Sequence, residues 1–299
     1  MIVQHNMTAL NANRMLGITN SSLSKRTEKL SSGYKVNRAA DDAAGLSISE
    51  KMRGQIRGLN QASRNAQDGI SLIQTAEGAM NEIHSVLQRM RELTVQASND
   101  TYVTADRRAI AKEVRALTSE ISRIAIQTEF NKMKLLSGGF KSKVLQVGAN
   151  SRQVISFSIS CMTAANLGVI TTLPKNEDGV EVGSKKANAA NVAGSISAWA
   201  GLPDAGHKIT GLISIVNQAI SKVSLQRSAL GALQNRLDHT VANADNMAEN
   251  LQSSESKIRD ANLADEMVAY SSSSILQQAG QSMLAQANQA TQGILSLLG

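Results

Sequence analysis

Apolar residues recur at steps of three and four positions through most of this chain. The longest such stretch runs from residue 52 to residue 97, and its steps average about 3.5 residues, the spacing of a coiled-coil seam. At about 1.5 Å per residue it would form a helix roughly 70 Å long, which is longer than a compact domain is wide. The pattern therefore predicts a rod-like molecule. The seam consists of Met52, Ile56, Leu59, Ala62, Ala66, Ile70, Ile73, Ala76, Met80, Ile83, Leu87, Met90, Leu93 and Ala97.

Two further seams predict the helices that would pack against the first. A polar loop at residues 98–101 precedes the second seam, so the first two helices should run antiparallel. A third seam lies near the other end of the chain. The fold class that follows is mainly α, a long antiparallel coiled-coil bundle. The second seam is Ile110, Val114, Leu117, Ile121 and Ile124, and the third is Val216, Ile220, Val223, Leu230, Leu233, Leu237, Val241, Ala244, Ala248, Leu251 and Ile258.

Each end of the chain also predicts a helix with a single apolar seam. A helix of this kind buries too little surface to be stable alone in water, so each end needs a partner. The N-terminal seam has a strict seven-residue spacing. It consists of Ile2, Ala9, Leu16, Leu23 and Leu30, and the C-terminal seam of Leu276, Met283, Leu284, Ala287, Ala290, Ile294 and Leu297.

The middle of the chain breaks the helical pattern. Both prolines, Pro174 and Pro203, lie between residues 140 and 205 together with many glycines, and residues 144–147 and 154–159 resemble short strands. These features predict a small β-hairpin and loop insert between two helical halves. The chain would then run out along one set of helices and return along another, which brings the two ends together.

Composition excludes several classes of protein. Aromatic residues are 2% of the 299 residues, so an aromatic-lined pocket is not expected. Cys161 is the single cysteine, which excludes an intramolecular disulfide or a cysteine-cluster metal site, and we expect it to be a small, partly buried apolar residue. No pattern predicts a membrane span or a cleavable signal peptide. The histidines match no metal-binding spacing and are expected at the surface: His5, His84, His207 and His239.

The net charge of +7 is distributed unevenly. Its excess lies mostly between residues 101 and 150, whereas residues 1–13 and 267–299 carry no Lys, Arg, Asp or Glu at all. Arms that bind phosphate should be the most basic part of a chain, so the uncharged ends argue against a nucleic-acid binder. The cations of the excess are Arg107, Arg108, Lys112, Arg115, Arg123, Lys132, Lys134, Lys141 and Lys143.

Long segments of the sequence resemble the bacterial flagellins. Residues 30–50 read LSSGYKVNRAADDAAGLSISE and are similar to the N-terminal signature of that family. The similarity continues at residues 55–62, 65–71 and 88–93. The C-terminal signature is similar at residues 256–261 and 277–289, which read SKIRDA and QQAGQSMLAQANQ.

The resemblance implies a structural protein without a cofactor or an enzymatic activity. It implies a subunit of the extracellular flagellar filament, used for swimming and exported unfolded through the flagellar type III system. Its partners would be other copies of itself, an export chaperone, the filament cap, hook–filament junction proteins and Toll-like receptor 5, without nucleic acid or membrane. The implied domains are D0 at residues 1–42 and 259–299, D1 at residues 43–140 and 209–258, and a short insert at residues 141–208.

Two sets of polar residues have a role in this interpretation. The resemblance places a receptor and protofilament face of D1 at Arg89, Arg91, Glu92, Leu93 and Glu113, although periodicity alone would make it a solvated helix face beside a seam leucine. The adjacent Asp41 and Asp42 diverge by about 100° on a helix, so a helix start or an ion pair between subunits suits them better than a metal site.

Three alternatives remain open at this stage. A hook–filament junction protein would share the terminal architecture. A basic coiled-coil nucleic-acid binder would use the central charge excess. An enzyme would need a nucleophile and base, a cofactor loop or a metal-ligand spacing, and the sequence contains none of these patterns.

Overall fold

The computed structural model describes residues 6–169, 192–199 and 205–298. These residues form seven helices and two small antiparallel sheets, so the expectation of a mainly α fold is confirmed. The helices are α1 (Met7–Ser32), α2 (Ala43–Ala97), α3 (Thr104–Gln127), α4 (Ala164–Leu167), α5 (Val192–Trp199), α6 (Ala205–Arg259) and α7 (Leu263–Leu298), and the strands are β1 (Glu129–Phe130), β2 (Met133–Lys134), β3 (Lys143–Gln146) and β4 (Val154–Phe157).

The chain divides into two compact units. Unit 1 contains residues 1–57 and 247–299, and unit 2 contains residues 58–246. Unit 2 holds the main hydrophobic core, to which α2, α3 and α6 contribute their apolar seams. Most of the predicted α2 seam from Leu59 onward is buried there, and Met80, Ile83 and Leu87 are completely buried. The three predicted central helices and their seams are therefore confirmed in unit 2.

The turn between α2 and α3 depends on a buried arginine. The side chain of Arg107 is 7% exposed, and its guanidinium donates hydrogen bonds to the carbonyl oxygens of Ala97 (3.1 Å) and Asn99 (3.1 Å). It also forms an ion pair with Asp100 at 2.8 Å. Carbonyl groups at a helix C-terminus have no partner within the helix, so Arg107 satisfies groups that would otherwise lack one. The predicted polar loop is present, and the residue that holds it, Arg107, lies in α3.

The predicted β-hairpin is confirmed with slightly different ends. Strand β3 pairs with β4 through Leu145 opposite Ile155, and the observed strands end earlier than residues 147 and 159. The hairpin packs on α2 at Gly69, where an added Cβ would lie 2.6 Å from Cδ2 of Leu145. A larger residue at position 69 would therefore displace the hairpin.

A second hairpin, β1 with β2, was not predicted. Its loop consists of Asn131 and Lys132, whose φ angles are 48° and 62°. Two consecutive positive φ angles match the two-residue hairpin turn that favours asparagine at the first position. Strands of two residues are too short to produce an alternating pattern, so periodicity could not reveal them.

The described part of the insert contains two short helices, α4 and α5, that the glycine and proline pattern did not indicate. Val192, Ala193 and Ile196 of α5 are buried and belong to the core of unit 2, and α5 packs against α3. A helix of eight residues offers too few seam positions to be recognised by spacing. Pro174 and Pro203 lie outside the described residues.

Unit 1 contains two helices that pack together but bury very little. Helix α1 packs against α7, and α1 has no buried residue. Among the described residues of unit 1, Val36 and Ala248 are the only buried apolar side chains. None of the described helices is long and apolar enough to cross a membrane.

Candidate assembly surface

The terminal helices run antiparallel, and side-chain contacts along their length fix their register. The Asn6 side chain caps the start of α1 by accepting a hydrogen bond from the Ala9 amide, and it donates one to the carbonyl oxygen of Ala287. At the other end Arg26 forms an ion pair with Glu266 at 2.7 Å. Because Glu266 is the last charged residue of the chain, this pair marks the boundary of the uncharged segment.

The interface between α1 and α7 uses small residues on α7. A Cβ on Gly280 would lie 3.3 Å from Cδ1 of Leu16, so the glycine allows the helices to approach closely. The amide of Gln277 donates a hydrogen bond to the Asn20 side chain. Four residues of the predicted N-terminal seam are half-buried here: Ala9, Leu16, Leu23 and Leu30.

Each terminal helix also has large apolar side chains that remain exposed. On α1, Met7 and Ile18 lie roughly opposite the seam that contacts α7, at 100° of rotation per residue. Both helices therefore carry an uncovered apolar face, which is unusual for a soluble chain and marks an interaction surface. We call this set the terminal apolar face: Met7, Leu10, Met15 and Ile18 on α1, and Val268, Ile275, Leu276 and Met283 on α7.

A shallow groove lies within the α7 part of this face. It has a volume of about 510 Å³, and Met267, Val268, Ile275 and Leu276 line it together with two serines. None of the residues that line the groove is charged, so covering its lining would not bury a charged side chain.

The predicted C-terminal seam is divided between two faces of α7. Leu284 and Ala287 are half-buried, whereas Leu276 and Met283 are 59% and 65% exposed. The predicted stripe is rotated by roughly 70° from the face that contacts α1, and its exposed members Leu276 and Met283 are thus available to another molecule. The side chains of Ala290, Ile294 and Leu297, and residue Ile2, lie outside the described part of the chain.

The predicted D1 face is assembled around Arg89. Its guanidinium pairs with Glu92 at 3.1 Å, one turn along α2, and with Glu113 of α3 at 3.0 Å. Hydrogen bonds from Arg89 to Glu92 and then to Glu113 raise the pKa of the arginine. Arg91 is exposed beside this group. Leu93 is 2% exposed and lies in the core, since it belongs to the α2 seam, so it is not a surface residue of this face.

Arg259 was not singled out by the sequence, yet it organises the segment between α1 and α2. Its guanidinium lies 4.6 Å from the centroid of the Tyr34 ring and 3.0 Å from Glu50, and its carbonyl oxygen accepts a hydrogen bond from the Lys35 amide. The hydrogen bond from Arg259 lowers the pKa of Glu50 below its ordinary value. The spacing of apolar residues carries no information about a polar residue such as Arg259.

The two adjacent aspartates act at the start of α2. Asp42 accepts a hydrogen bond from the Gly45 amide at 2.8 Å, which is the geometry of a helix N-cap. Asp41 accepts hydrogen bonds from the Arg38 and Asn37 amides, and the Arg38 bond lowers the pKa of Asp41. The expected helix-start role is thereby confirmed for Asp42.

The remaining candidates are structural. Cys161 is half-buried as expected, with its Sγ 3.3 Å from Oγ1 of Thr163. His239 is exposed, and His84 is half-buried at the surface beside Gln88. His5 and the side chain of His207 lie outside the described residues. Within the described ranges, no group of three or more His, Cys, Asp or Glu could hold a metal ion.

These features define a helical protein whose paired terminal helices leave an apolar face for association with another chain. Comparison with known proteins places it more narrowly. Residues 3–141 match the bacterial flagellin N-terminal helical region, and residues 213–298 match the bacterial flagellin C-terminal helical region. The chain belongs to the bacterial flagellin family.

Similar proteins extend over the whole chain. A flagellin from Halalkalibacterium halodurans is 49% identical over 298 residues, and one from Bacillus subtilis is 48% identical over 310 residues. A flagellar filament 33 kDa core protein from Treponema phagedenis is 47% identical over 308 residues. Each match covers 100% of both chains.

Proposed function

We propose that this chain is a structural subunit that polymerises into the extracellular filament of the bacterial flagellum, where it serves swimming motility. Residues 1–42 and 259–299 form the D0 assembly domain, residues 43–140 and 209–258 form D1, and residues 141–208 form a short insert. The observation that carries the proposal is the terminal apolar face, which remains exposed although α1 and α7 already contact each other.

Burial of this face between neighbouring subunits supplies the free energy of assembly. Full burial of a Leu, Ile or Met side chain contributes about 1.5–3 kcal/mol. Met7, Ile18, Ile275, Leu276 and Met283 are each more than half exposed, so a neighbour can cover most of their surface. No side chain of residues 267–299 is charged, so none of them would need an ionic partner in the assembled state.

We expect the full chain to polymerise and a chain lacking residues 1–40 and 260–299 to remain a soluble helical monomer. The truncated chain keeps the whole of unit 2 and its core but loses the terminal apolar face. Sedimentation and negative-stain microscopy distinguish the two outcomes, with circular dichroism as the test of folding.

Filaments from the truncated chain would overturn the role of the termini. A folded full chain that binds hook or filament ends without polymerising would instead favour a hook–filament junction protein. A lack of both activities in the folded full chain would contradict the proposal altogether.

Export unfolded through the flagellar type III system belongs to the same proposal, together with an export chaperone, a filament cap and hook–filament junction proteins as partners. Helix α1 has no buried residue, so its unfolding exposes little apolar surface that is not already in contact with water. In a flagellated host we expect the truncated chain to stay inside the cell, since the terminal residues would carry the export signal.

Toll-like receptor 5 is the proposed partner of the D1 face in the free monomer. Arg89 and Glu113 are exposed and paired with each other, which presents a planar guanidinium in a fixed orientation. We expect the double substitution Arg89→Ala, Glu113→Ala to raise the monomer concentration for half-maximal receptor activation by at least about tenfold. Arg236→Ala on α6 is the matched control, and unchanged activation by the double variant would contradict this partner.

A further inference from the structure

Three cations from the charge excess of residues 101–150 form a row on one flank of α3. Several other cations of this charge excess already have partners, since Arg107 pairs with Asp100 and Arg123 pairs with Glu120. Lys134 likewise pairs with Glu129. The three cations are Arg108, Lys112 and Arg115, which we call the cation row.

The cation row is exposed and forms no ion pair with any described residue. Its members are four and three positions apart, so they share one face of α3. The carboxylates Glu113 and Glu120 lie on a different flank and are paired with cations of their own. The row therefore lacks a counter-charge within the described part of the chain.

A complementary row lies on α6. Asp238 and Asp245 are seven positions apart on one flank of the helix, and both are exposed without an ion pair among the described residues. Ala242 lies between them and is also exposed. We call Asp238 and Asp245 the carboxylate row.

The two rows match in spacing and in shape. Arg108 and Arg115 are also seven positions apart, so each pair of charges is separated by about 10 Å along its helix. With Arg108 and Arg115 opposite the two aspartates, the long side chain of Lys112 faces the short side chain of Ala242. This arrangement allows two ion pairs without a steric clash at the middle position.

The two rows of one chain cannot meet each other. Arg107, beside the cation row, contacts Ala97 at the end of α2, whereas Leu237, beside the carboxylate row, packs against Gly69. The stretch of α2 from residue 69 to residue 97 separates these levels by about 40 Å.

We propose that the cation row of one copy binds the carboxylate row of a second copy that is displaced by about 40 Å along α2. The inference rests on the proposed self-assembly and adds a second contact outside the terminal helices. Because different patches meet, the contact is heterologous, and it can repeat from copy to copy without closing into a ring. A polyanion such as nucleic acid would leave the carboxylate row unpaired, so a second copy is the better partner.

Charge reversal tests the pairing directly. We expect Arg108→Asp, Arg115→Asp to raise the critical concentration for polymerisation by at least about tenfold, because like charges then face each other. Asp238→Arg, Asp245→Arg should have the same effect. The chain with all four substitutions regains complementary rows at the original net charge, and it should polymerise like the parent.

An equimolar mixture provides a second, independent readout. Each reversed variant carries two rows of the same sign and should therefore polymerise poorly by itself. In a mixture, copies of the two variants can alternate, so that each row meets a row of the opposite sign. The mixture should therefore polymerise near the critical concentration of the parent. Arg57→Asp, Arg236→Asp is the matched control, since both arginines are exposed and neither forms an ion pair with a described residue.

The outcomes separate this inference from the proposed function. If the parent chain does not polymerise, the proposed function itself fails. If the parent polymerises and the reversed variants do so equally well, the pairing is overturned while the filament role stands. Failure of both the four-fold variant and the mixture to recover would also overturn the pairing.

Discussion

Filaments are expected to disappear when Leu276 and Met283 are replaced together by aspartate. The two side chains are 59% and 65% exposed in the single chain, so the substitutions should leave the monomer as helical as before. Burial of these side chains in an assembly contributes about 1.5–3 kcal/mol each, and a charge at either position would also need a partner. A combined loss of about 3 kcal/mol or more corresponds to at least about a hundredfold higher critical concentration.

The measurement is the critical concentration from sedimentation after seeding with parent filaments. Leu276→Met, Met283→Leu is the matched control, because it keeps apolar side chains of similar volume at both positions and should polymerise normally. Normal filaments from the aspartate variant would show that this part of the terminal apolar face does not take part in assembly.

Replacement of Arg107 by alanine is expected to lower the free energy of unfolding of the monomer by about 2–4 kcal/mol. The guanidinium is buried and binds two carbonyl oxygens at the end of α2 as well as Asp100. Its removal leaves the Ala97 carbonyl without this donor and opens a cavity between α2 and α3. Urea denaturation followed by circular dichroism gives the change.

Arg108→Ala is the control for this prediction, since the neighbouring arginine is exposed and lacks an ion pair with any described residue. It should change the free energy of unfolding by less than about 0.5 kcal/mol. Equal free energies of unfolding of the two variants would indicate that the hydrogen bonds of Arg107 contribute no net stability, because the unfolded chain makes equivalent hydrogen bonds with water.

Much of the fold could be predicted because long helices repeat one signal many times. The seam through Met80, Ile83 and Leu87 continues for thirteen turns or so, and each turn indicates the same buried face. The β3–β4 hairpin was found for a similar reason, since each strand is a short run rich in β-branched residues. The β1–β2 hairpin, α4 and α5 were missed because elements of two, four or eight residues give too few repeats.

The spacing of apolar residues could predict only part of the candidate assembly surface. Met7, Leu10 and Ile18 form a second apolar stripe on α1, and their spacing of three and eight positions could have been noticed beside the strict seven-residue seam. The roles of Arg107 and Arg259 had no sequence signal. Their partners lie on other segments, and only the packed chain brings them together.

The sequence by itself determined that this protein is a bundle of long amphipathic helices with uncharged ends, since helical period and charge are properties of neighbouring positions along the chain. The tertiary structure decided which apolar side chains are buried within the molecule and which remain exposed. Leu284 and Met283 are adjacent in sequence and equally apolar, yet the first is half-buried toward α1 and the second is exposed. The rotation of α7 against α1 sets that difference, and it depends on the close contact of Gly280 with Leu16, which no local pattern encodes.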